Sequence, residues 1–319
     1  MNYIIVLTIN SVLVNMETVV ELNDIVKIYD GVKVIDNLSL TIHEGEIFGF
    51  LGPNGAGKTT SINIMTGLVK PTSGSVNIKN YTKSDIGMCP QEVILWDYLT
   101  CYENLYTIGS MYDIEKKELK MRIDEILDRL MLSEHKNKKI EDLSGGMKRR
   151  MNIAMATIHN PKLLILDEPS EGLDPQSRRI LWDYIKYQKS LNNTIILTTH
   201  LMDEADILSD RIAIIDHGKL LKLDTPDNLK SSIGSGDILE ITIKNNIDET
   251  LNELNKLEYL TSINLNDETL IMNLLNASNK LPEILKIIEA NKSVLKNIII
   301  RQNTLEDVFI ELTGRQLRE

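Results

Sequence analysis

The chain has 319 residues, of which 42% are apolar and 25% charged, enough for two domains with real cores and not the composition of a disordered protein. A net charge of −11 argues against a nucleic-acid partner, because gripping phosphates needs clustered Lys and Arg; the one short basic run, Lys148-Arg149-Arg150, reads as a solvated helix face. Two cysteines, Cys89 and Cys101, lack zinc-ligand spacing and read as small buried hydrophobes in a reduced protein, and no apolar run reaches the ~18 residues of a spanning helix.

In chain order, residues 1–17 are an expected N-terminal extension. It lacks the basic start and cleavage site of a signal peptide, and Met16 is a competing start. Residues 19–28 and 32–42 are rich in Val, Ile and Leu and meet at Asp30-Gly31, predicting antiparallel strands. Residues 46–51 form a short apolar run that leads into glycines and a helix over 58–67. Short strands follow near 75–78 and 86–88, then a helical pattern over 99–132, and another helix opened by Ser144. Residues 162–166 and 193–197 are continuous apolar runs of strand length after helices, the pattern of a parallel α/β sheet. Residues 212–215 and 220–223 flank a hairpin turn at His217-Gly218. Residues 231–236 have linker composition, and the order after them, βαββαβ with a last helix, predicts a small ferredoxin-like α+β layer.

Three motifs carry chemistry. Gly52, Pro53, Asn54, Gly55, Ala56, Gly57, Lys58 and Thr59, followed by Thr60, fit G-x-x-x-x-G-K-[ST] between a predicted strand and a predicted helix. Such a loop turns backbone N–H groups toward phosphate, Lys58 reaches the β- and γ-phosphates, and the Thr59 hydroxyl is a Mg²⁺ ligand. Asp167 and Glu168 follow an apolar strand at its carboxyl end, where one carboxylate can hold Mg²⁺ and the other can polarise a water. Ser144, Gly145 and Gly146 open a helix with exposed N–H groups, a second anion-binding end.

Together these residues resemble the nucleotide-binding subunit of an ABC transporter over residues 18–230, with the motifs in the family's order. The resemblance implies a P-loop NTPase fold of the ABC type, with an antiparallel β subdomain and a helical subdomain, followed by an accessory domain over 237–319. It implies that Tyr29 stacks on adenine, that Gln91 senses Mg²⁺ and meets the membrane subunit, that Asp174 lies in the D-loop, and that His200 contacts the γ-phosphate. ATP and Mg²⁺ are then the expected ligands, with Thr59, Gln91 and Asp167 at the metal and Glu168, His200 and Gln91 at the reaction. Ser144, Gly145, Gly146 and Asp174 would act in trans on the ATP of a second subunit. Met147 stands where Gln is commoner, and Ser170-Glu171 where Thr-Ser is frequent. Met147 with the basic residues after it, and the tail from Thr304 to Gly314, are similar to the ABC-2-type exporter branch, which includes drug-resistance ATPases.

The expectation is a homodimer or paired ATPase, on the inner face of the cell membrane through an integral membrane permease subunit, with Trp96, Tyr98 and Leu99 as docking contacts. The competing class is a soluble ABC ATPase working on DNA or the ribosome. The segment over 92–142 is too short for a long coiled coil, and one ATP module rather than two is present.

Overall fold

The structure, a computed structural model, describes residues 17–78, 81–233 and 236–314. The proposed start at Met1 or Met16 lies outside them, as does Ser235 of the expected linker. β1 (Thr18–Tyr29) and β2 (Val32–His43) pair antiparallel, and β4 (Ser73–Ile78) adds to the other side of β1. The β1–β2 turn is Asp30-Gly31, with φ values of 48° and 81°, the left-handed pair that the right-handed twist of a hairpin favours.

A second sheet has the order β5-β6-β7-β3-β8-β9, from β3 (Ile47–Leu51), β5 (Ile86–Cys89), β6 (Leu163–Asp167), β7 (Thr194–Thr199), β8 (Arg211–Asp216) and β9 (Lys219–Asp224). All its pairings are parallel except β8 with β9. The apolar runs are unbroken because both faces are covered. Leu164 and Leu166 point into one core with helices α2 (Cys101–Met111), α3 (Lys116–Arg129), α4 (Gly145–Thr157) and α5 (Pro175–Ser190). Leu163 and Ile165 point the other way, against Phe48, Phe50, the β1–β2 sheet and α1 (Lys58–Met65). The helical stretch expected over 99–132 is thus two helices, parted where Asp113 takes φ 55°. Thr100 and Glu103 cap the first of them reciprocally.

Strand order decides where the chemistry lies. β7 sits between β6 and β3, so the segments leaving the carboxyl ends of all three emerge side by side. The register is Leu51 opposite Thr199 and Asp167 opposite Thr198. The residues that follow are Gly52, Glu168 and His200.

After α6 (Met202–Leu208) and α7 (Pro226–Ser231), a four-stranded antiparallel sheet runs β11-β12-β10-β13, built from β10 (Asp237–Lys244), β11 (Leu260–Asn266), β12 (Thr269–Leu274) and β13 (Val294–Gln302). Its core joins Leu239, Ile241 and Met272 to Leu254 of α8 (Ile247–Leu254) and to Ile284 and Ile288 of α9 (Ala277–Ala290). The final helix, α10 (Leu305–Thr313), departs from the boundary drawn on composition. Leu305, Val308 and Phe309 are buried with Leu51, Ala205, Ile212, Ile214 and Leu229 of the first unit. The other side of α10 is held to the small sheet through Arg301, which bonds both Asp307 and Glu240. Burial alone opposes ionisation of Asp307, but Arg301 and Thr304 outweigh it and hold its carboxyl below the usual range.

Candidate functional site

The loop from Gly52 to Gly57 connects β3 to α1 and admits few side chains. A Cβ at Gly52 would lie 2.3 Å from the Ile215 carbonyl oxygen. Gly57 has φ 101°, and a Cβ there would meet the Val34 carbonyl at 2.9 Å. Both positions therefore require glycine on steric and conformational grounds. The Lys58 ammonium turns back over the loop, donating to Gly52 O at 2.6 Å and Pro53 O at 3.3 Å. Its side chain is buried, and its ammonium lies 2.9 Å from Glu168 Oε1.

Glu168 is the residue in which the neighbouring strands meet. It adopts φ 48°, in the left-handed region a non-glycine residue seldom occupies. Its N–H donates to Thr198 O at 3.1 Å and to Thr198 Oγ1 at 3.0 Å. Its second carboxylate oxygen, Oε2, accepts from the His200 backbone N–H at 3.2 Å and lies 2.9 Å from His200 Nδ1. Asp167 is buried at the end of β6, with Thr198 Oγ1 donating to its Oδ1.

A cleft of about 300 Å³ opens here, lined by Pro53, Asn54, Gly55, Gly57, Lys58, Thr59, Thr60, Gln91 and Glu168, with Val34 as a member that no motif marked. Asp167 and His200 stand behind Glu168 rather than on the lining. Gln91 is exposed and donates through Nε2 to Glu171 Oε2 at 2.8 Å. Tyr29, Ser144, Gly145, Gly146 and Asp174 do not line this cleft. Tyr29 is half-exposed at the end of β1, with the Lys27 ammonium over its ring at 4.6 Å. Ser144 caps α4, its Oγ accepting from Met147 N at 3.4 Å. Asp174 caps α5 by accepting from the N–H groups of Gln176 and Ser177, and the Ser177 hydroxyl, ahead of those backbone bonds, lowers its pKa.

One reading of the sequence changes. The basic run at the start of α4 is not a solvated face: Arg149 is 4% and Arg150 7% exposed. Arg150 reaches back to the Leu130 carbonyl at 2.6 Å, and Arg149 bonds only main-chain carbonyls. Helical spacing to Ile153 and Ala154, which are core and lie three or four residues on, was the available signal; the charges masked it. Cys89 and Cys101 are buried as expected, and desolvation pushes both thiols up to about 11.

The oxygen donors Thr59, Asp167 and Gln91 suit a hard cation. Among the described residues no cluster of three or more His, Cys, Asp or Glu could form an all-protein metal cage. That fits Mg²⁺, which is commonly held by one or two protein groups together with water and substrate phosphates. The glycine cradle, the buried Lys58 and the start of α1 suit a polyphosphate.

A family model described as "ABC transporter" matches residues 35–171. The linearmycin resistance ATP-binding protein LnrL of Bacillus subtilis (strain 168) is 37% identical over 292 residues, spanning 88% of this chain and 94% of that protein. Among solved structures, cbiO1 from Clostridium perfringens, part of the ABC transporter complex cbiONQ, superposes with a TM-score of 0.62 at 27% identity, covering 68% of this chain and 92% of that one. The ATP-binding cassette MJ0796, in a dimeric post-hydrolysis state with ADP and Pi, gives 0.59 at 28% identity, covering 65% and 98%. Glycine loop, buried lysine, Asp167-Glu168 turn and full-length relative agree: the chain belongs to the ABC transporter family, as one of its ATP-binding subunits.

Proposed function

We propose that this chain hydrolyses ATP with Mg²⁺ and that the hydrolysis powers an exporter. The observation that carries the reading is the chain Lys58–Glu168–His200 at the mouth of the glycine loop, its first two members buried and His200 half-buried. The loop N–H groups and Lys58 bind and orient the phosphates. Glu168, released from Lys58, accepts a proton from water as the water oxygen bonds to the γ-phosphorus and the bond to the ADP oxygen breaks. His200 holds the other carboxylate oxygen, so Glu168 keeps one oxygen for water. Thr59, Asp167 and Gln91 would hold Mg²⁺, whose chemistry is neutralisation of phosphate charge.

The in-trans set supports a two-subunit site. Ser144, Gly145 and Gly146 present a helix N-terminus away from this chain's own cleft, so their anion-binding end suits the ATP of a second subunit. MJ0796 is dimeric with ADP and Pi bound, which supports pairing of two such subunits. Adenine would stack on Tyr29, whose ring is available at the end of β1.

Among the described residues no helix is long and apolar enough to cross a membrane. We read the permease as an integral membrane protein that would hold this subunit at the inner face of the membrane. Its docking site is read at Gln91 and the exposed apolar residues beyond it, Trp96 and Tyr98. Export is supported by the resistance role in the name of LnrL. The antiparallel order β11-β12-β10-β13 supports reading residues 237–302 as a ferredoxin-like layer.

The test is phosphate release from wild type and Lys58→Ala in matched preparations, with and without Mg²⁺. Release that needs both Lys58 and Mg²⁺ supports the reading; equal rates overturn it.

A further inference from the structure

Arg149 spends every N–H of its guanidinium on main-chain carbonyls. Nε donates to Pro169 O at 3.0 Å. Nη1 donates to Pro90 O and Gln91 O, each at 2.7 Å. Nη2 donates to Asp167 O at 2.7 Å and Glu168 O at 2.8 Å. A buried cation with no carboxylate among its hydrogen-bond partners is expensive unless its donors are satisfied, and here five carbonyl dipoles satisfy them.

The carbonyls belong to two separate segments. Three follow one another through the turn at the end of β6, where Glu168 is left-handed. A non-glycine residue there is strained and persists only where its surroundings over-determine it. Thr198 fixes the N–H of that turn, and Arg149 fixes the carbonyls before, at and after Glu168. The other two carbonyls flank the bond from Pro90 to Gln91, whose side chain lines the cleft. One turn further along α4, Asn152 holds the same segment, donating to Glu92 O at 3.2 Å and accepting from Ile94 N at 3.1 Å.

We propose that Arg149 is a positioning residue for hydrolysis. Its rigid planar fork holds the strained Glu168 turn so that the carboxylate faces the cleft, and it ties the Gln91 segment to that turn. A displacement of the Gln91 segment would therefore be felt at the Glu168 backbone through one side chain. Lysine cannot substitute, because a single ammonium has three donors and no fork. This inference rests on the hydrolytic reading of the cleft.

The experiment uses the full chain, with Lys148→Met as a neighbouring control, since Lys148 is partly exposed and only 4.0 Å from Asp97. Steady-state kinetics, ATP affinity by fluorescent nucleotide and thermal unfolding are measured for wild type, Arg149→Lys and Arg149→Ala. The expected result for Arg149→Lys is a kcat lower by at least about tenfold, with KM and ATP affinity within about twofold, the mark of an interaction used in the transition state. Millimolar guanidinium should restore part of the kcat of Arg149→Ala and none in Glu168→Gln. A wild-type kcat in Arg149→Lys overturns the inference, as does a loss of ATP affinity that parallels kcat, or a folded Arg149→Ala that guanidinium does not rescue. Should Arg149→Ala fail to fold, the kcat and KM of Arg149→Lys decide alone. A wild type that releases no phosphate overturns the hydrolytic reading itself, a different result from an active wild type matched by Arg149→Lys.

Discussion

Lys58 and Glu168 form a buried ion pair, Nζ to Oε1 at 2.9 Å, although Lys58 opens α1 and Glu168 follows β6, in different motifs. The phosphate-binding cation and the carboxylate expected to activate water are thus partners. On the proposed reading, a nucleotide phosphate reaching Lys58 would compete with Glu168 for the ammonium, and its arrival would free Oε1 for water. Substrate binding and arming of the base would then be one exchange of partners.

Glu168→Gln removes the competing charge. ATP affinity is expected to equal or exceed that of wild type, while hydrolysis falls by ~10²–10⁴-fold, the usual worth of a general base. The unhydrolysed ATP should hold two subunits together. Light scattering should therefore show a dimer with ATP and a monomer with ADP, checked at raised protein concentration. A markedly weaker ATP affinity would contradict the competition, and a monomer with ATP bound would contradict the two-subunit site.

His200→Ala deletes the Nδ1 contact to Glu168 Oε2 but leaves the backbone N–H to the same oxygen. Partial misplacement of the carboxylate follows. The expected outcome is a kcat lower by roughly 10²-fold with nucleotide affinity little changed. Kinetics in which KM alone rises would place His200 in ground-state binding instead.

Glu204, on α6, is fully buried and bonded by Ser170 Oγ and by Trp182 Nε1 at 3.1 Å. Burial raises its pKa above 4.5, and the nearby Glu168 charge adds to the rise. A raised carboxyl contributes stability fully present below its unfolded value, and that contribution is lost as pH rises through the folded value. Glu204→Gln keeps an oxygen for the Ser170 and Trp182 donors and cannot ionise. Its stability relative to wild type should therefore increase as pH rises above the usual glutamate range, measured by urea unfolding. Parallel pH profiles would show that Glu204 does not titrate above that range.

Phe309→Ala tests the return of α10 to the first unit. Phe309 is fully buried among Leu51, Ala205, Ile212 and Ile214, and emptying such a site costs about 3–5 kcal/mol. Urea unfolding should show that loss in the ATP-binding unit, and a chain ended before Gly236 should be destabilised for the same reason. A truncated chain with unchanged stability and ATP affinity would show instead that α10 is an ornament of the small domain.

The nucleotide loop was legible from the sequence because its requirements are local. Glycines at 52 and 57 and Lys58 must be contiguous for one loop to wrap phosphate, and the strand before and helix after follow from short-range pattern. Asp167-Glu168 was legible for the same reason, as charges placed at the end of an apolar run. The α/β class followed from unbroken apolar strands, since only a sheet covered on both faces needs them. Partners distant in sequence were decided by tertiary structure alone. Strand order β6-β7-β3 brings Lys58 to Glu168, across 110 positions of chain, and no local spacing encodes that order. The basic run at Arg149 read as solvent-facing because its five acceptors are backbone carbonyls, which have no signature in sequence. The domain boundary drawn at the Gly/Ser stretch missed α10 because composition marks where a chain is flexible, whereas Leu305, Val308 and Phe309 choose their core by the apolar surface within reach after folding.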